Sequence, residues 1–231
     1  MNPTIFFSVC SIIYCILLFV VFKMENNKKN DTNSMFKFLL ISNFLGLILE
    51  VIVSLVFGVH YENYKYILNI LIRLIPLYHM IWMAGFIIYI MLVSSSNGKI
   101  SKKIRIIVWA IVSLLCVIDF FLPFNVKLKN DVLMYSYGLS VNFVFIYCLA
   151  GYIISLFIMF KNINTLNKHK YAPLFALISS GTIITMIQST YPECLLSISM
   201  HTFVLYIAYI NIRKNQIQSI IDSKKTEKSN T

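Results

Sequence analysis

Seven long apolar stretches separated by short polar gaps divide this chain. They run from Thr4 to Phe22, Phe36 to Val59, Tyr66 to Val93, Ile104 to Leu122, Met134 to Phe160, Pro173 to Thr190 and Cys194 to Ile212. They are 18 to 28 residues long, around or above the roughly 20 that span a bilayer as a helix, and the third is predicted to be tilted or to extend past the bilayer. A strand with an open edge cannot be tolerated in lipid, so every crossing is predicted to be helical. Pro76 lies inside the third and longest stretch, where it removes one backbone donor and predicts a kink. Pro173 opens the sixth, a first-turn position at which no donor is needed. The polar pieces Lys23–Asn33, His60–Tyr64, Ser94–Gly98, Phe124–Leu133, Lys161–Lys170 and Tyr191–Glu193 read as loops and turns.

Charge orients this plan. Most of the 20 basic residues fall in alternate gaps, such as Lys28 and Lys29 in the first, Lys102, Lys103 and Arg105 in the third, and Lys168 and Lys170 in the fifth. Arg213, Lys214, Lys224, Lys225 and Lys228 lie in the tail. Basic loops are retained in the cytoplasm, so the N-terminus is expected outside and the C-terminus inside. The predicted class is therefore an all-α, multi-pass cell-membrane protein, a bundle of seven transmembrane helices. Residues 1–212 form its membrane domain; residues 213–231 form a short cytoplasmic helical extension, carrying Ile217, Ile220 and Ile221, and a disordered tail.

Composition supports the lipid bilayer as principal partner. The chain has 231 residues, 58% hydrophobic and 13% charged, with a mean hydropathy of +0.77. Soluble domains carry about a quarter charged residues. The net charge of +11 follows from loop orientation and from attraction to anionic lipid, and gives no reason to expect nucleic acid. Cys10, Cys15, Cys116, Cys148 and Cys194 have neither metal-ligand nor disulfide spacing, and no cofactor is expected.

Ionisable groups inside a span are costly and mark candidate functional sites. Glu50 and Arg73 each lie about nine residues from the outer end of their span, roughly 13 Å deep at 1.5 Å per residue. Matched depth on consecutive helices predicts an ion pair between them. Asn69, Asp119, Asn142, Gln188, Ser197 and His201 share the outer half, while the inner halves are poorer in polar groups. Asn43, Glu50 and Ser54 form one stripe, whereas His79 points away from Arg73. A polar cluster open only to the outside predicts a ligand pocket lined by Glu50, Arg73, Asn142, Gln188 and His201.

Several chemistries find no residues. The last span holds no lysine for a retinal Schiff base, no H-E-x-x-H helix occurs, and no glycine-rich phosphate cradle is present. Asp119 has no acidic partner at its depth for intramembrane aspartyl chemistry. No enzyme activity is expected.

Two stretches resemble a known family. Residues Asn33 to Glu50, reading NSMFKFLLISNFLGLILE, resemble the second-helix signature of the N-terminal seven-helix sensor regions of bacterial histidine kinases, related to those of some diguanylate cyclases. Gln188 to Pro192, with Leu205-Tyr206-Ile207-Ala208-Tyr209-Ile210-Asn211, is similar to the end of their last helix. Ile212 and Arg213 stand where that family usually carries Pro and Asp, and no phosphoacceptor His, ATP-binding region or GGDEF segment follows. The resemblance implies a sensory domain of bacterial signal transduction that lacks its own catalytic output and binds an external or lipid-borne small molecule or peptide. It would signal as a homodimer or to a separate output protein through the Pro76 helix and the last span. A small transporter and an accessory membrane subunit, the latter docking through Ser179-Ser180-Gly181, are the alternatives.

Overall fold

The structure, a computed structural model, describes residues 3–25, 30–56, 61–95, 98–129, 132–163, 168–191, 198–210 and 213. Apart from Arg213, the predicted cytoplasmic extension and tail lie outside them, as do the 192–193 part of the last turn, Cys194, Ser197, Asn211 and Ile212.

Among the described residues the helices are α1 (Pro3–Glu25), α2 (Asp31–Val56), α3 (Tyr61–Ser94), α4 (Lys102–Phe121), α5 (Leu139–Lys161), α6 (Lys168–Thr190) and α7 (Ile198–Ile210). The first five are long and apolar enough to cross a membrane. In α6 and α7 the apolar stretches are shorter, Leu174–Thr190 and Ile198–Ile210. Helix α6 starts at Lys168, so Pro173 falls beyond its first turn, not in it.

A feature the apolar pattern does not predict joins α4 to α5. Residues Asn125–Lys129 (β1) and Val132–Tyr137 (β2) pair antiparallel, with Asn125 opposite Tyr137 and a bulge after Lys127. Val132, Tyr135 and Tyr137 are good strand formers. The fifth helix therefore begins at Leu139, after Gly138, whose φ of 122° suits glycine alone, and not at Met134.

Helix α3 packs directly on α2, α4 and α5 and meets α7 through Tyr78, Trp82 and Tyr89, with the other helices arranged as a ring. Neighbours around the ring are α1 and α2, α4 and α5, and α5 and α6, by direct packing. Helices α2 and α4 meet through the edge-on Phe38 and Trp109 rings and the Arg105–Asp31 ion pair. Helices α6 and α7 share a cavity, and Ser11 on α1 reaches the Ser199 carbonyl on α7. Within α3 every residue from Trp82 to Ile90 is buried, as befits a helix that is apolar all round. By contrast, only 11% of the apolar part of α4 is buried, against 72% for α3. Close approach replaces bulk where α5 meets α6: a Cβ at Gly181 would collide with the Tyr152 ring. That use of small residues is the usual one between membrane helices. It also places Gly181 inside the chain, not on a face offered to a partner.

Candidate ligand site

The cavity lies between α3, α5, α6 and α7, on the side of the bundle that carries the hairpin. Ile72, Pro76 and His79 face it from α3, Val144, Cys148 and Tyr152 from α5, Gly181, Thr185 and Gln188 from α6, and His201 and Val204 from α7. Tyr135 and Ser136 of β2 reach it as well. Its volume is about 80 Å³, where one water needs roughly 10–15 Å³. No Asp, Glu, Lys or Arg is among its described lining residues.

The register of α3 explains the histidine at its wall. Ile72, Ile75, Pro76 and His79 follow a three- and four-residue spacing, which lays them on one stripe of a helix. His79 Nδ1 lies 2.9 Å from the Ile75 carbonyl oxygen. A carbonyl only accepts, so Nδ1 carries the proton and Nε2 carries the lone pair. That Nε2 is buried and has no hydrogen-bond partner among the described residues.

His201 is held from two sides. Its ring stacks on Trp82 at 3.7 Å between centroids, with planes 1° apart. Its Nδ1 lies 3.1 Å from the Tyr78 hydroxyl. The same hydroxyl donates to Asn43 Oδ1 at 3.1 Å, and Asn43 Nδ2 donates to Thr202 Oγ1 at 2.9 Å. With its proton given to Asn43, the Tyr78 oxygen accepts from His201 Nδ1–H. The second imidazole thus also keeps its lone pair on Nε2. The two histidine rings stand 5.6 Å apart, edge to face.

Glu50 belongs to a neighbouring cluster. Its side chain is 1% exposed, and Oε2 accepts from Ser8 Oγ at 2.9 Å and from Ser199 Oγ at 3.2 Å. One carboxyl group so ties α1, α2 and α7. The predicted stripe of Asn43, Glu50 and Ser54 is buried throughout, with Asn43 and Glu50 both facing α7.

The predicted Glu50–Arg73 ion pair does not form among the described residues. Arg73 Nη1 donates to the Phe120 carbonyl at 2.7 Å, and its guanidinium lies over the Phe120 and Phe124 rings at 5.7 and 5.3 Å. It faces a separate polar recess with Asn69, Asn125 and Tyr137, at the foot of the hairpin. Counting residues gives depth but not azimuth. Glu50 faces α1 and α7, whereas Arg73 faces α4.

Of the other predicted site residues, Gln188 and His201 line the cavity. Asn142 does not: its side chain is exposed, one position off the Val141, Val144 and Phe145 stripe that faces inward. Asp119 is buried and accepts from Ser140 Oγ at 2.9 Å, fastening the end of α4 to the start of α5. Sequence reasoning missed Tyr78, Trp82 and the cavity-facing role of His79. The signal for His79 was its spacing from Ile72 and Pro76 on the α3 stripe.

Among the described residues no third His, Cys, Asp or Glu joins the two imidazoles in a metal-binding group. What they present is two hydrogen-bond acceptors in an apolar chamber. Against protein-family models and curated proteins, the sequence finds no match.

Proposed function

We propose that this chain is a membrane-embedded sensory domain of bacterial signal transduction, crossing the bilayer seven times with its N-terminus outside. Its ligand, external or lipid-borne, occupies the cavity between α3, α5, α6 and α7 and is reported to a separate output protein. The observation that carries this reading is the bonded path leaving the cavity wall. From His201 it runs through Tyr78 and Asn43 to Thr202, joining α3, α2 and α7. A ligand touching His201 therefore touches the packing of three helices. It shifts their arrangement by the difference in its affinity for the two states.

Ligand sites in helical bundles are mostly apolar with a few placed polar groups, which is the make-up of this cavity. The last third of α3, beyond Trp82, is apolar as far as Val93 and buried but for a half-buried Met91, which favours a receptor over a transporter. The resemblance of residues 33–50 to the second helix of kinase sensor regions points the same way.

Labelling tests the reading. Thr185, which lines the cavity, is replaced by cysteine in a chain whose native cysteines are changed to serine or alanine. A membrane-impermeant maleimide is then applied to intact cells and to inverted vesicles. A receptor reacts from the outer side alone. Equal reaction from both sides indicates a transport path, and reaction from neither removes the site.

A further inference from the structure

The two histidines of the cavity restrict the chemistry of its occupant. His79 has given its Nδ1 proton to the Ile75 carbonyl, and His201 has given its own to Tyr78. Each ring therefore turns a lone pair on Nε2 to its surroundings; that of His79 is buried and unanswered among the described residues. Thr185, in the same wall, has already spent its hydroxyl proton on the Gly181 carbonyl. The described lining contains no charged side chain that could balance an ionised ligand. Burying an unpaired charge in such a site is far more costly than burying a hydroxyl that is hydrogen-bonded.

We propose that the cavity binds a small, uncharged, largely apolar molecule carrying a hydrogen-bond donor, such as an alcohol, held by Nε2 of His79 and His201. This names the ligand class of the proposed receptor and rests on that reading for its biological sense. The binding chemistry itself can be tested apart from it. A donor-bearing ligand pairs with a nitrogen that is otherwise left unsatisfied. A hydrocarbon of the same shape leaves that nitrogen unpaired, which is the stronger source of discrimination.

The test uses the full chain in lipid nanodiscs, labelled with ¹⁵N-histidine. Cyclohexanol, cyclohexane and cyclohexylammonium are compared at equal concentration in the membrane phase. Cyclohexanol is expected to shift the Nε2 resonances of His79 and His201 saturably and to bind at least tenfold more tightly than either of the others. His79→Leu should lose about tenfold in cyclohexanol affinity. His79→Gln, which keeps an acceptor near the same place, should retain most of it and shows that the chamber still folds.

Equal binding of cyclohexanol and cyclohexane overturns the proposal, as does preference for the ammonium ion or the absence of a saturable shift. Saturable cyclohexanol binding in a chain whose Thr185→Cys variant labels from both sides removes the receptor reading and leaves the ligand chemistry standing. Outer-side labelling with no alcohol preference does the reverse.

Discussion

The imidazole of His201 lies flat on the indole of Trp82, with 3.7 Å between ring centres and 1° between planes. Trp82 is fully buried, and its other face stacks on Phe86 at 5.4 Å. The orientation of the cavity histidine is thus set by a column of aromatic rings on α3, continued by Tyr152 of α5 edge-on to Phe86.

Truncating that column should loosen α7. Trp82→Ala is expected to cost about 3–5 kcal/mol, as for other large aromatic side chains removed from a packed core. Trp82→Phe keeps a ring under the imidazole and should cost less. Thermal unfolding in detergent checks both, with circular dichroism as the readout.

Among the described residues Glu50 sits with hydroxyl donors, not beside a cation. Glu50→Gln keeps an acceptor oxygen and is expected to fold with stability changed by less than about 1 kcal/mol, the scale of intramembrane hydrogen bonds. Glu50→Leu strands Ser8 and Ser199 and should cost more, about 1–3 kcal/mol for unsatisfied buried groups. Equal loss in the two variants would argue for a charge-specific role.

Arg73 and Glu50 have separate partners, so they should not be energetically coupled. In a double-mutant cycle of Glu50→Gln and Arg73→Leu, the two effects are expected to add within about 0.5 kcal/mol. Coupling of 2 kcal/mol or more, on the order expected for a buried ion pair broken on one side, would restore the predicted pair. Arg73→Lys is itself expected to destabilise, because the ammonium lacks the planar face that rests on Phe120 and Phe124.

The Gly181 contact with Tyr152 offers a packing test. Gly181→Ala forces the tyrosine ring aside and should destabilise by about 1–3 kcal/mol, as overpacked sites do. Since Gly181 and Tyr152 both line the cavity, affinity for cyclohexanol should fall as well. An unchanged melting temperature together with lost dimer contacts would instead indicate that the glycine faces a second chain.

Much of the helical plan could be read from apolar run length, because lipid leaves a backbone few other ways to satisfy its donors. Four helix starts lie five residues from the predicted span starts at Phe36, Tyr66, Met134 and Pro173; at Met134 the span is shortened, because Tyr135 and Tyr137 suit a strand. For the site, the buried stripe of Asn43, Glu50 and Ser54 was legible from spacing alone, as was the presence of Gln188 and His201 near one another in depth. What spacing along single helices does not give is how each is rotated against its neighbours. Asn142 missed the cavity by one residue's turn, and Arg73 and Glu50 shared a depth but not a face. The Tyr78–Asn43–Thr202 path joins residues up to 159 positions apart, so no local pattern could announce it.

The hairpin acts as a float. Its two strands have outer edges whose amides and carbonyls need water, and hydrocarbon cannot supply it. Wherever Asn125–Lys129 and Val132–Tyr137 rest, the aqueous boundary must rest too. Since Tyr135 and Ser136 also line the chamber that His79 and His201 line, one end of it meets that boundary, and a molecule dissolved in water need not enter through the lipid to find it.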